Sequence, residues 1–141
     1  MRKIVILLAL LLPTLVMAQS SRDINLVVQK TIDLHALKKF YNDSEKTGET
    51  PLIILNDNKI PNNLIVFKFN KRVKIMTPQE LETFKQIYTG NLDSYFVFEV
   101  IEFKEDEVTI KATFRKNEKI AINVSMKKQD RQWMVMESSA G

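Results

Sequence analysis

The chain has 141 residues, 21 Lys+Arg against 17 Asp+Glu, a net charge of +4 and 45% apolar residues. It has no cysteine, which excludes thiol catalysis, thiolate metal sites, iron–sulfur clusters and disulfides. Its three glycines, Gly48, Gly90 and Gly141, are too far apart to build a phosphate-cradling loop.

Arg2 and Lys3 precede an unbroken apolar run, Ile4 to Leu12, and the segment ends in Val16-Met17-Ala18. This pattern predicts a signal peptide over residues 1–18, cleaved after Ala18. An N-terminal anchor is the alternative, but the apolar run is shorter than the ~20 residues a spanning helix needs. The expectation is therefore a periplasmic or secreted protein with no stable membrane span after leader cleavage. Arg2 and Lys3 leave with the leader, so the net charge of +4 falls by two. So small an excess does not point to nucleic acid. Residues 19–141 suffice for one domain with its own core.

From Asp23 to Tyr41 the residues recur at helical spacing, with Ile24, Val27, Val28, Thr31, Leu34, His35 and Tyr41 on one side and Ile32, Leu37 and Phe40 widening the apolar face. The prediction is one helix, capped by Asp23 and laid against a sheet. A strand over Ile24 to Val28 is the alternative. Asn42 to Pro51 reads as a loop, and Leu52 to Leu55 as a short β-run. Leu64 to Phe69 and Val73 to Met76 are further β-runs, separated by Asn70-Lys71-Arg72. They form either a tight hairpin or one kinked strand.

Thr77-Pro78-Gln79-Glu80 is a capping-box pattern with proline at the first helical position. It predicts a short second helix, Pro78 to Tyr88, with Leu81, Phe84, Ile87 and Tyr88 as its apolar stripe and Gly90 as its stop. Four strands follow in a meander. Val108, Ile110, Ala112 and Phe114 alternate with polar residues, as do Ile120, Ile122, Val124 and Met126. Trp133 and Val135 are in phase on the last strand. The first strand, Tyr95 to Phe103, changes parity near Val100 and Ile101, which predicts a β-bulge. The predicted fold class is α+β: an antiparallel sheet with a C-terminal four-strand meander, packed against the N-terminal helix, plus one short second helix. Val108, Ile110, Phe114, Ile122, Val124, Trp133 and Val135 should be core.

No catalytic or metal constellation stands out, and no cofactor is expected. His35 is the only histidine. Beside Val28, Ile32 and Leu34 it reads as a partly buried packing residue. Glu105, Asp106 and Glu107 lie at a hairpin tip, where water solvates them better than a catalytic pair requires. Lys68, Lys71, Arg72 and Lys74 interleave with Phe67 and Phe69. Such a stretch either binds an anionic surface or guards a sheet edge against pairing.

A long N-terminal helix followed by a curved meander that ends in Trp133-Met134-Val135 resembles the cystatin-like roll of the nuclear transport factor 2-like and SnoaL-like families. The resemblance implies a sheet that wraps a helix and leaves a conical pocket. This chain lacks the additional N-terminal helices and the pocket acids of the enzymes in those families, so no site residue transfers. The chain also resembles short exported proteins of Gram-negative bacteria, a likeness that carries no activity.

Two functions follow as expectations. The first is an exported, non-catalytic binding or accessory protein that meets a partner protein through a surface, with Lys68, Lys71, Arg72 and Lys74 as the surface candidates. The second is a cystatin-like pocket protein or enzyme for a small apolar ligand, with His35, Tyr41 and Trp133 as the pocket candidates.

Overall fold

The computed structural model describes residues 21–90 and 92–141. The signal-peptide reading of residues 1–18 lies outside them. Among the described residues no helix is long and apolar enough to cross a membrane.

Residues 21–32 are helical and are called α1. A 3-10 turn follows at His35–Phe40, then α2 (Asp43–Thr47), β1 (Ile53–Leu55), β2 (Phe67–Lys68), β3 (Lys71–Arg72), β4 (Lys74–Met76) and α3 (Pro78–Ile87). The meander is β5 (Tyr95–Lys104), β6 (Glu107–Phe114), β7 (Ile120–Gln129) and β8 (Gln132–Ala140). Six strands form one sheet in the order β4-β1-β5-β6-β7-β8, and β2 and β3 form a separate hairpin. The class is α+β, as the alternation of apolar residues predicts. The meander pairs are antiparallel, but β1 runs parallel to both β4 and β5, so the sheet is mixed.

The long predicted helix is broken. Leu34 takes an extended conformation (φ −55°, ψ 134°) between α1 and the 3-10 turn. A straight helix cannot turn Val27, Val28 and Ile32 as well as Leu34, Leu37 and Tyr41 onto one sheet face; the break lets all six be buried. The Tyr41 hydroxyl donates to the Ile32 carbonyl at 2.8 Å, which satisfies one acceptor freed at the helix end. Asp23 is not the cap. Residues 21 and 22 are already helical, and its carboxylate instead accepts from the Trp133 indole nitrogen at 3.1 Å.

The predicted loop at Asn42 to Pro51 contains α2. Asn42 caps it, Glu45 reaches back to complete the capping box, and Gly48 closes it at φ 84°. Asn-x-x-Glu followed by Gly is a legible helix signature, but five residues carry too little apolar periodicity to announce themselves. In α3, Thr77 accepts from the Glu80 amide at 3.2 Å. This helix stops at Tyr88, in an extended conformation, and not at Gly90. Ile87 is exposed, so the stripe that packs is Leu81, Phe84 and Tyr88.

The core lies between one sheet face and the α1 segment. Phe96 and Phe114, opposite each other on β5 and β6, stack at 4.3 Å and are fully buried with Val27, Val28, Ile32, Leu37 and Ile110. On the other sheet face, α3 covers the β1 end through Leu81, Ile53 and Leu92. The bulge in β5 falls at Phe98/Val100, one residue before its predicted place. Val135 is 42% exposed, against expectation. It faces the core side opposite Met126, but among the described residues β8 is the sheet's edge, with β7 as its one strand neighbour.

Candidate functional site

Every predicted site residue except Trp133 gathers around the β2–β3 hairpin. Its two loop residues, Phe69 and Asn70, have φ of 54° and 62° between the pairs Phe67–Arg72 and Lys68–Lys71. Two successive positive φ values are the signature of the turn that matches strand twist, for which asparagine, aspartate and glycine are the usual residues. Phenylalanine at φ 54° carries a conformational penalty of about 1–2 kcal/mol. Its ring packs edge-on against Tyr41 at 5.1 Å, which holds it there.

Side chains of α1 hold the hairpin strand. The Asn25 amide accepts from Ile65 N at 2.7 Å and donates to Ile65 O at 3.1 Å. One turn on, the Gln29 amide accepts from Phe67 N at 3.0 Å and donates to Phe67 O at 2.8 Å. Both amides thus act as a neighbouring strand would. Asp33, another turn on, accepts from Gln29 and from Lys68 Nζ at 2.8 and 2.9 Å. The spacing 25, 29, 33 places the three on one helix face. This ladder is a feature the sequence reading missed; its signal was the i, i+4, i+8 spacing of Asn25, Gln29 and Asp33, which a reading of apolar periodicity passes over.

The hairpin stands between two open clefts. The outer cleft has a volume of about 580 Å³. Leu34, Tyr41 and Phe69 give its apolar wall, and Lys38, Lys46 and Lys68 supply ammonium groups. His35 and Asp33 complete it. His35 is exposed, which corrects the expectation of a packed histidine: the break at Leu34 turns it outward. Tyr41 is buried and its hydroxyl is committed to Ile32. Burial drives its pKa far above the ordinary tyrosine range, with Asp33 and Glu45 adding and Arg115 opposing. Lys68 Nζ lies 5.4 and 5.1 Å from the ring centroids of Tyr41 and Phe69, within cation–π range.

The inner cleft, about 370 Å³, collects Lys68, Lys71, Arg72 and Lys74. Lys68 borders both clefts. Lys71 Nζ donates to Gly48 O at 3.2 Å. The carboxylate on the inner cleft is Glu45, whose side chain is fully buried and held by the two terminal guanidinium nitrogens of Arg115, each at 2.9 Å. The Ser94 hydroxyl and the Asn42 backbone N–H also donate to it. Glu45 is thus matched by Arg115, and the lysines and Arg72 set the sign of the cleft. Neither Glu45 nor Arg115, 70 residues apart, carries a local sequence signal for this pairing.

Trp133 lies elsewhere. It is buried under α1, packs edge-on against Phe103 at 5.6 Å, and ties β8 to Asp23. Among the described residues no three histidine, aspartate or glutamate side chains are placed to hold a metal ion. Compared with models of protein families, with curated proteins and with solved structures, the chain matches none.

Proposed function

We propose that this chain is an exported, periplasmic or secreted, non-catalytic binding protein that recognises an anionic partner at the inner cleft. The observation that carries this reading is the convergence of Lys68, Lys71, Arg72 and Lys74 on one cleft whose carboxylate is already engaged by Arg115. Lys68 is paired with Asp33, so Lys71, Arg72 and Lys74 supply the excess charge; on a concave wall they focus a positive potential and attract an acidic surface in a salt-dependent manner. The test is titration of residues 19–141 with a sulfated oligosaccharide and with its unsulfated counterpart. Saturable binding of the sulfated form, weakened by 0.5 M salt and by Arg72→Gln with Lys74→Gln, is the expected result. Equal behaviour of the two sugars overturns it.

A second reading is a small-ligand pocket protein, in line with the cystatin-like resemblance. It is favoured by His35 and Tyr41 lining the same cleft of about 580 Å³. The seat of the ligand is then the outer cleft, which those two residues line.

A further inference from the structure

From the lining of the outer cleft we infer that it takes a small amphiphilic carboxylate, an apolar body with one anionic head. The inference rests on the second reading above and stands whether or not the inner cleft binds an anion. One side of the cleft is apolar: Leu34, Tyr41 and Phe69. The Tyr41 hydroxyl is spent on the Ile32 carbonyl and the residue is buried, so it backs Phe69 with hydrocarbon and contributes no oxygen. The lining also includes Lys38 and Lys46, both exposed. Asp33 is the carboxylate that could repel such a head, and it is already paired with Lys68 at 2.9 Å and hydrogen-bonded by Gln29 at 2.8 Å. An anion therefore meets two ammonium groups that pair with no acid among the described residues, beside an acid that is already paired, and an apolar body meets a hydrocarbon wall. A wholly apolar ligand would leave the lysines unused, and a simple inorganic anion would leave the wall unused.

Phe69 gives a second, independent line. An aromatic residue occupies a turn position at φ 54° where asparagine or glycine would be relaxed. Strain of this kind persists only where the surrounding packing holds it, here the edge-on contact with Tyr41. The same side chain lines the cleft.

The probe is 2-naphthoate, with the uncharged 2-naphthylmethanol as its partner, titrated into residues 19–141. The acid is expected to bind saturably and about tenfold more tightly than the alcohol, the increment of one charge-assisted contact. The double variant Lys38→Gln, Lys46→Gln, at exposed positions, should abolish that preference without changing the melting temperature. Phe69→Asn should leave the melting temperature equal or higher and weaken both probes. Equal binding of acid and alcohol keeps the pocket reading and overturns the anionic head. Saturable binding of neither overturns both. A Phe69→Asn variant that melts lower and binds naphthoate unchanged shows that the ring serves packing, and removes Phe69 from the site. Sulfated-sugar binding reports only on the inner cleft and is unaffected by these outcomes.

Discussion

Glu45 and Arg115 show how much can rest on one pair of side chains. The carboxylate is buried without exposure and receives four donors, from Arg115, Ser94 and Asn42. Breaking a buried pair from one side leaves an uncompensated charge, so Arg115→Ala should cost about 3–5 kcal/mol, measured by urea unfolding. A loss below ~1 kcal/mol would mean that water reaches Glu45 freely. Gly48 is constrained in another way. Its φ is 84°, and an added Cβ would collide with the Lys71 side chain. Gly48→Ala should lower stability by about 1–2 kcal/mol, and a matched loss with Lys71→Ala in the background would leave backbone strain as the whole cause. Tyr41 contributes a pH dependence. Its folded pKa lies above the unfolded value of 10.0, because burial disfavours the phenolate. The folded state then keeps a proton the unfolded state releases, so this stabilisation is complete below pH 10 and declines as pH rises above it. Tyr41→Phe should flatten the alkaline limb of the stability–pH curve; an unchanged limb would assign it to other tyrosines such as Tyr95, whose pKa is also raised by burial.

At the scale of elements, the hairpin is the least self-sufficient part. Each of its strands has two residues, and a two-stranded ribbon of that length is not stable alone. It is held by the Asn25 and Gln29 amides and by the Lys68–Asp33 pair. Replacing Asn25 and Gln29 by alanine should speed hydrogen exchange at the Ile65 and Phe67 amides while the meander amides stay protected. Uniform acceleration across the sheet would show that hairpin and meander unfold as one unit. The α1 break belongs to this scale as well. The apolar residues from Ile24 to Tyr41 do have helical spacing, but their face is wider than one straight helix can bury. The chain resolves this by extending at Leu34 and resuming as a 3-10 turn, and that same break turns His35 onto the outer cleft.

At the scale of the whole molecule, the described residues form a mixed sheet with a segmented helical layer on one face and a short helix, α3, at one end of the other. The first layer meets it through Phe96 and Phe114, stacked at the centre of the sheet. Phe96→Ala should destabilise the fold by about 3–5 kcal/mol, read as a shift of the urea midpoint with an unchanged slope. A change in slope instead would mean that the denatured ensemble, or two-state behaviour, has altered. The sheet's two edges differ. β4 has three residues with Lys74 on its exposed side, whereas β8 has nine and exposes Met134, Val135 and Met136. Lysine and shortness guard the first edge; the shift in pairing between Ser125 and Met126 distorts the second.

The meander was legible because a half-buried antiparallel strand alternates with period two, and Val108 to Phe114 and Ile120 to Met126 do so without interruption. The α3 start was legible because a cap is a local hydrogen bond written within four residues, Thr77 to Glu80. The basic character of Lys68 to Lys74 and the pocket candidates His35 and Tyr41 were legible as residue types. That the two sets border adjoining clefts and share Lys68 was not, because the hairpin's position is set by side chains about 40 residues away on α1. The parallel pairing of β1, the exposure of Val135 and the Glu45–Arg115 pair are likewise decided between segments distant in sequence. Local pattern specifies which face of a strand or helix seeks cover; only the packed chain determines what covers it, and so where its clefts open.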